Sequence, residues 1–308
     1  MIDVVHVGSA SRDLTEDDPR GWRLGGGASY SALTTARLGL RTAAVIGVDR
    51  AAASASELVL LREAGVELLL VELDEGPVFR NVESPNGRVQ MCLAPGHHLP
   101  IPRMPGSWGR APAWSLVPVA GELGDEWVSV VPRDALVSLG WQGLLRNLVA
   151  GRDVTRKAPT RSPLLERADL VGVSRHDLEP GTALASLSRL LRPTADLVVT
   201  DGPAGGRLVR LRSDGRARTR RYEAVAPSRE VDPTGAGDVF LAALVASVVG
   251  LGRQARATGL RRRLDLRFAA VAASFVVEAP GLHGVPDRQE ILGRLARDRT
   301  TRWVSAVG

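Results

Sequence analysis

The chain has 308 residues, 44% of them hydrophobic, enough to bury a sizeable core in one large α/β domain or two small ones. Its formal net charge is +6 and its pI is near 10.6. Yet Lys157 is the only lysine, and the arginine runs at 216–221 and 261–263 are short with few aromatics beside them, so the charge reads as solvated surface and argues against a nucleic-acid partner.

The single cysteine, Cys92, excludes an internal disulfide and suits a reducing compartment. The first residues carry no basic segment followed by a signal-like apolar run. The longest apolar stretch, 239–251, is too short to span a bilayer. The expectation is a cytoplasmic protein without membrane contact.

In chain order, residues 2–8 predict a buried strand ending at Gly8. Gly25-Gly26-Gly27 then opens a helix over 28–38 whose small residues suit close packing on a sheet, and Gly39 ends it. A strand is expected over 42–48 and a helix over 51–64. Residues 77–83 and 88–93 are β-rich and flank Ser84-Pro85-Asn86-Gly87, a strong hairpin signal. The Pro-, Trp- and Gly-rich stretch 95–118 reads as a connection.

Strands are then expected over 127–131, 135–139, 170–173 and 197–200, with helices over 164–168 and 184–191. A hairpin is expected over 206–212 and 218–224, and helices after Asp238, over 266–277 and over 288–296. This alternation predicts a mostly parallel sheet with helices on both faces. The whole chain, 1–308, reads as one domain with lid segments at about 11–24 and 68–96.

The chemistry concentrates in Asp232-Pro233-Thr234-Gly235-Ala236-Gly237-Asp238, which runs directly into an apolar helical stretch. Gly235 and Gly237 allow backbone geometries closed to other residues, so their N–H groups and that of Ala236 can converge on one anion. The helix that follows adds the positive end of its dipole. Asp238, in the first helical turn, is placed to accept a proton beside the charge being held. An anion cradle and a base in one turn are what a small-molecule kinase requires.

That heptad resembles the C-terminal signature of the PfkB (ribokinase-like) family of sugar and nucleoside kinases. Leu24-Gly25-Gly26-Gly27-Ala28-Ser29-Tyr30, continuing to Gly39, is similar to the family's N-terminal signature. The short first lid segment, the Gln142-Gly143-Leu144-Leu145-Arg146 stretch and Val198-Val199-Thr200-Asp201-Gly202 together look most like its inositol-kinase-like branch. The resemblance implies a three-layer α/β/α sandwich with a small β lid.

It further implies an ATP- and Mg²⁺-dependent transfer of a phosphoryl group to a sugar or polyol hydroxyl. Asp238 would act as base and the 235–237 backbone as anion hole. Asp13, Gly25, Gly26 and Tyr30 would hold the acceptor, with Gln142 and Arg146 beside them. Thr200, Gly202, Asp232, Thr234, Ala270 and Gly281 would face the nucleotide. Asp177 stands where the family has a glutamate that organises the metal through water. The oligomer is expected to be a monomer or a homodimer. Two alternatives stay open: a nucleoside kinase, with Tyr30 as a platform for the base, and a non-catalytic ligand-binding member of the fold.

Overall fold

The computed structural model describes residues 1–84, 87–211, 216–258 and 264–305; Pro85-Asn86 of the predicted hairpin turn and Arg261–Arg263 lie outside the described residues. The strands are β1 (Val4–Ser9), β2 (Arg12–Leu14), β3 (Trp22–Leu24), β4 (Thr42–Val48), β5 (Glu67–Glu72), β6 (Val78–Ser84), β7 (Gly87–Ala94) and β8 (Ala113–Leu116). They continue with β9 (Leu136–Gly140), β10 (Arg146–Asn147), β11 (Arg152–Asp153), β12 (Thr155–Arg156), β13 (Leu170–Ser174), β14 (Asp196–Thr200), β15 (Gly206–Leu211) and β16 (Ala217–Tyr222). The helices are α1 (Gly27–Arg37), α2 (Glu57–Glu63), α3 (Pro163–Arg167), α4 (Leu184–Ser188), α5 (Ala236–Thr258), α6 (Leu266–Val276) and α7 (Arg288–Ser305).

Nine strands form the central sheet in the order β16-β15-β14-β13-β9-β8-β1-β4-β5, all parallel except for the β15–β16 hairpin at one edge. One face buries Val4, Ile46 and Val198 with the apolar sides of α1, α2, α5 and α6. The other buries Val5, Val45, Val137 and Val199 with Trp108, Trp114, Trp127 and residues of α3 and α4. Both faces of the central strands are therefore apolar, which is why β1 and β4 read as near-continuous hydrophobic runs. The expected α/β/α sandwich is borne out.

A second, five-stranded sheet, in the order β11-β7-β6-β2-β3, stands off the first. Its core is the β6–β7 hairpin, on either side of the predicted Asn-Gly turn. β2 pairs in parallel with β6, and Arg12-Asp13-Leu14 follow the end of β1 after only two residues, so the two sheets share a continuous stretch of backbone. The β2–β3 arm is anchored to the body: Arg20 lies over the Trp22 ring at 4.6 Å and donates to Glu57 at 2.7 and 2.8 Å.

Three expectations differ. Residues 127–131 are not a strand; Asp125–Ser129 is a 3₁₀ turn, and Trp127 is buried with its indole N–H donating to the Leu99 carbonyl. The supposed connection 95–118 contains β8, a central strand between β1 and β9. It is only four residues long with prolines close on both sides, so it has no room to show a pattern. Finally, β5 is the edge strand of the central sheet, so the first residues of the expected second lid segment, 68–72, belong to the body.

Candidate active site

From β1 the chain moves to β4 on one side, and from the neighbouring β8 it moves to β9 on the other, which opens a crevice between β1 and β8 at their C-terminal ends. The loop after β8 folds over that crevice and is pinned by Glu122. This carboxylate, 4% exposed, accepts the N–H groups of Ser9 at 2.7 Å, Val119 at 3.1 Å and Ala120 at 2.8 Å. Burial raises its pKa, and those backbone donors oppose the rise. Sequence reading missed Glu122, because a lone glutamate in a loop carries no signal of the three amides it will meet.

Gly25, Gly26 and Gly27 line the same crevice. A Cβ on Gly25 would strike the Asp13 carboxylate, and a Cβ on Gly27 would sit 2.8 Å from Asp238 Oδ1. The glycine turn thus lies between the two carboxylates, Asp13 on the lid side and Asp238 on the α5 side. Asp13 is further fixed by the Ser11 hydroxyl at 3.0 Å. Gly25→Ala is expected to leave the fold intact, since the Asp13 side chain can rotate away. On the reading proposed below, in which Asp13 holds an acceptor hydroxyl, it should raise the acceptor KM by about tenfold or more, the loss of roughly one charge-assisted hydrogen bond. Steady-state kinetics beside a thermal melt check both halves.

The 232–238 turn takes the form its residues dictate. The Asp232 carboxylate accepts the Thr234 N–H at 2.9 Å, closing an Asx-type turn. Gly235 has φ +82°, a conformation that strongly favours glycine. α5 then begins at Ala236 and carries Asp238 in its first turn. One detail departs from expectation: the Ala236 N–H donates to the Pro233 carbonyl at 3.3 Å. Among the described residues the amides of Gly235 and Gly237 have no backbone acceptor, so these two, with the α5 dipole, are left to meet an anion.

Asp238 is largely buried, and burial pushes its carboxyl up to about 7. The Arg146 guanidinium pulls it down; Asp177 and Asp13 push it further up. Arg146 is half-buried, lying over the Phe79 ring at 5.6 Å and donating to the Val119 carbonyl at 3.2 Å. It feels Asp177, Asp13, Asp238 and Glu122. Gln142 Nε2 reaches Asp177 Oδ1 at 3.4 Å, and the other Asp177 oxygen accepts the Ser174 N–H at 3.3 Å. Asp13, Arg146, Asp177 and Asp238 thus interact as one cluster of charges, with Gln142 tied to it through Asp177.

Thr200 ends β14 opposite Ser174, and Gly202 opens the short turn beyond it, so both stand at the C-terminal edge beside Asp177. Two other expectations are corrected. Ala270 is 4% exposed in the α5–α6 core, because the helical period of α6 turns it inward, away from the expected nucleotide side. Tyr30, expected on the acceptor side, is 2% exposed, with its ring packed beneath Gly235. A ring so covered offers no platform to a ligand. Gly281 is buried with Arg23 and Tyr30 as its near neighbours.

The fold is ribokinase-like. The sequence model described as pfkB family carbohydrate kinase matches residues 151–288, which include the 232–238 turn, and the family resemblance read from the sequence is borne out. Among solved structures, the chain is similar to a pyrophosphate-dependent kinase in the ribokinase family complexed with a pyrophosphate analog and myo-inositol. The identity is 19% over 94% of this chain and 99% of that one, with a TM-score of 0.68. It is also similar to the Methanocaldococcus jannaschii nucleoside kinase, at 16% identity over 96% and 99% of the two chains, with a TM-score of 0.66. Arabidopsis thaliana ribokinase, complexed with ribose and ATP, aligns at 20% identity over 95% and 98%, with a TM-score of 0.65. No curated protein matches the chain in sequence.

Proposed function

We propose that the protein is a kinase that transfers a terminal phosphoryl group to a hydroxyl of a sugar or polyol. The observation that carries this reading is the meeting of Asp238 and Asp13 across the glycine turn, with Asp238 beside the 235–237 cradle. Asp13 and Arg146 hold the acceptor's hydroxyls. Asp238 takes the proton of the attacking hydroxyl as its oxygen bonds to phosphorus and the bond to the leaving phosphate oxygen breaks. The Gly235 and Gly237 amides and the α5 dipole stabilise charge on the transferring group. A base with a pKa near neutrality suits this task.

Magnesium, implied by the family, fits here as an ion held on the donor's phosphates, with Asp177 reaching it through water. Among the described residues no group of three or more His, Cys, Asp or Glu side chains is placed to hold a metal directly. When bound, the ion would draw charge from the phosphate oxygens.

For the donor, ATP is the first reading, and Thr200 and Gly202 stand where its phosphates would pass. Burial of Ala270 favours a second reading, inorganic pyrophosphate, because it removes one expected adenine contact. The nucleoside-kinase alternative loses its base platform with Tyr30 buried. The test is product formation from ATP or pyrophosphate with Mg²⁺ across a panel of sugars, inositols and nucleosides, each beside Asp238→Asn. Acceptor-dependent product that vanishes in the variant supports the reading. ATP or pyrophosphate binding without product from any acceptor would point to the ligand-binding alternative.

A further inference from the structure

Tyr30 stands in the first turn of α1, a helix buried along most of its length. Its ring occupies the space into which a Gly235 side chain would project: a Cβ there would fall within the contact surface of ring atoms Cδ1, Cε1 and Cζ. The turn that bears the anion hole therefore rests on a flat aromatic surface. The hydroxyl lies near Gly281, whose Cβ would stand 3.9 Å from it. Burial first, and then the charges of Asp13, Asp232 and Asp238, hold the Tyr30 phenol above its ordinary range. One ring thus lies beneath Gly235 at the apex of the turn and reaches Gly281 with its hydroxyl.

A backbone held at φ +82° with no side chain of its own needs an external surface to keep its amides aimed. A tyrosine ring supplies one with little side-chain freedom to lose. Because α1 starts at the Gly25–Gly27 turn, the same rigid helix sets both the acceptor-side turn and the height of the cradle.

We propose that Tyr30 is a positioning residue for the anion hole: its ring, and not its hydroxyl, holds the Gly235 backbone in the phosphate-binding conformation. This rests on the kinase reading only in placing the phosphate at Gly235–Gly237. The experiment therefore includes a readout independent of turnover.

Pyrophosphate binding is measured by titration calorimetry on the whole protein and on Tyr30→Phe, Tyr30→Leu and Tyr30→Met. Steady-state kinetics are run alongside on whichever acceptor and donor are active. Tyr30→Phe is expected to keep pyrophosphate affinity and kcat within about threefold. Tyr30→Leu and Tyr30→Met, which fill the volume without a flat ring, are expected to lose tenfold or more in both while the acceptor KM holds. Met is included because its flexible chain refills the space where Leu fails to fold.

Leu or Met variants that bind pyrophosphate normally would overturn the proposal. So would a Phe variant as impaired as they are, or a loss confined to the acceptor KM. A wild-type protein that binds no pyrophosphate would overturn it as well. Ring-dependent binding in a protein that phosphorylates no acceptor would uphold the proposal and sink the kinase reading.

Discussion

Asp238→Asn is expected to lower kcat by roughly 10²–10⁴-fold while making the protein more stable above neutral pH. The two effects have one cause. Burial raises the carboxyl from 3.8 to about 7, so the folded state holds a proton that the unfolded chain releases between those values. Stability therefore falls as pH rises from about 4 to about 7, and above 7 the full penalty is present.

Asparagine never ionises and escapes that penalty. The carboxylate is not wholly sealed from water, so only part of the shift appears as stability, on the order of 1 kcal/mol. This corresponds to a Tm gain of about 2–4 °C at pH 8, shrinking to nothing near pH 4. Wild-type kcat/KM should rise with pH and level off above about 7. Melting curves at both pH values and a pH–rate profile check this; an acid limb near pH 4, or a pH-independent Tm difference, would refute it.

The second large effect is on folding. Glu122→Leu is expected to destabilise the protein by about 3–5 kcal/mol, because it leaves the amides of Ser9, Val119 and Ala120 buried without an acceptor. Glu122→Gln keeps one acceptor oxygen, but its NH2 must face the Ser9 or the Ala120 N–H, since those two amides donate to different carboxylate oxygens, so only part of the loss should be recovered. Denaturant titration distinguishes the two. Glutamine as stable as the wild type would mean that one acceptor oxygen suffices at this site.

Much of the fold was legible because its signals are local. The apolar runs of β1 and β4, the Asn-Gly between β6 and β7, and the glycines ending α1 and α2 each report their own neighbourhood. β8 was not legible: four residues between prolines are too few to set a period, and only pairing with β1 and β9 makes them a strand. The 3₁₀ turn at Trp127 looked like a strand because its apolar residues are buried by tertiary packing and not by a pleat.

The site divides the same way. Asp238, Gly235 and Gly237 announce themselves through the 232–238 turn, where conformation and chemistry lie side by side in sequence. Tyr30 and Ala270 were misplaced because facing a ligand or facing the core is decided by what packs on top. Glu122 was invisible, since its function as an acceptor depends on Ser9, which lies 113 residues away.

The two sheets also divide the work unequally. Asp13 belongs to β2 of the smaller sheet, with Arg23 and Phe79 as its cross-strand partners. Asp238, Thr200 and the phosphate cradle belong to the body. On the proposed reading, recognition draws on the smaller sheet together with Arg146 of β10, while transfer is written in the body. Selection can redraft the smaller sheet without disturbing the machinery beneath it. A chimaera carrying a relative's lid on this body would be expected to inherit the relative's choice of acceptor and keep its own choice of donor.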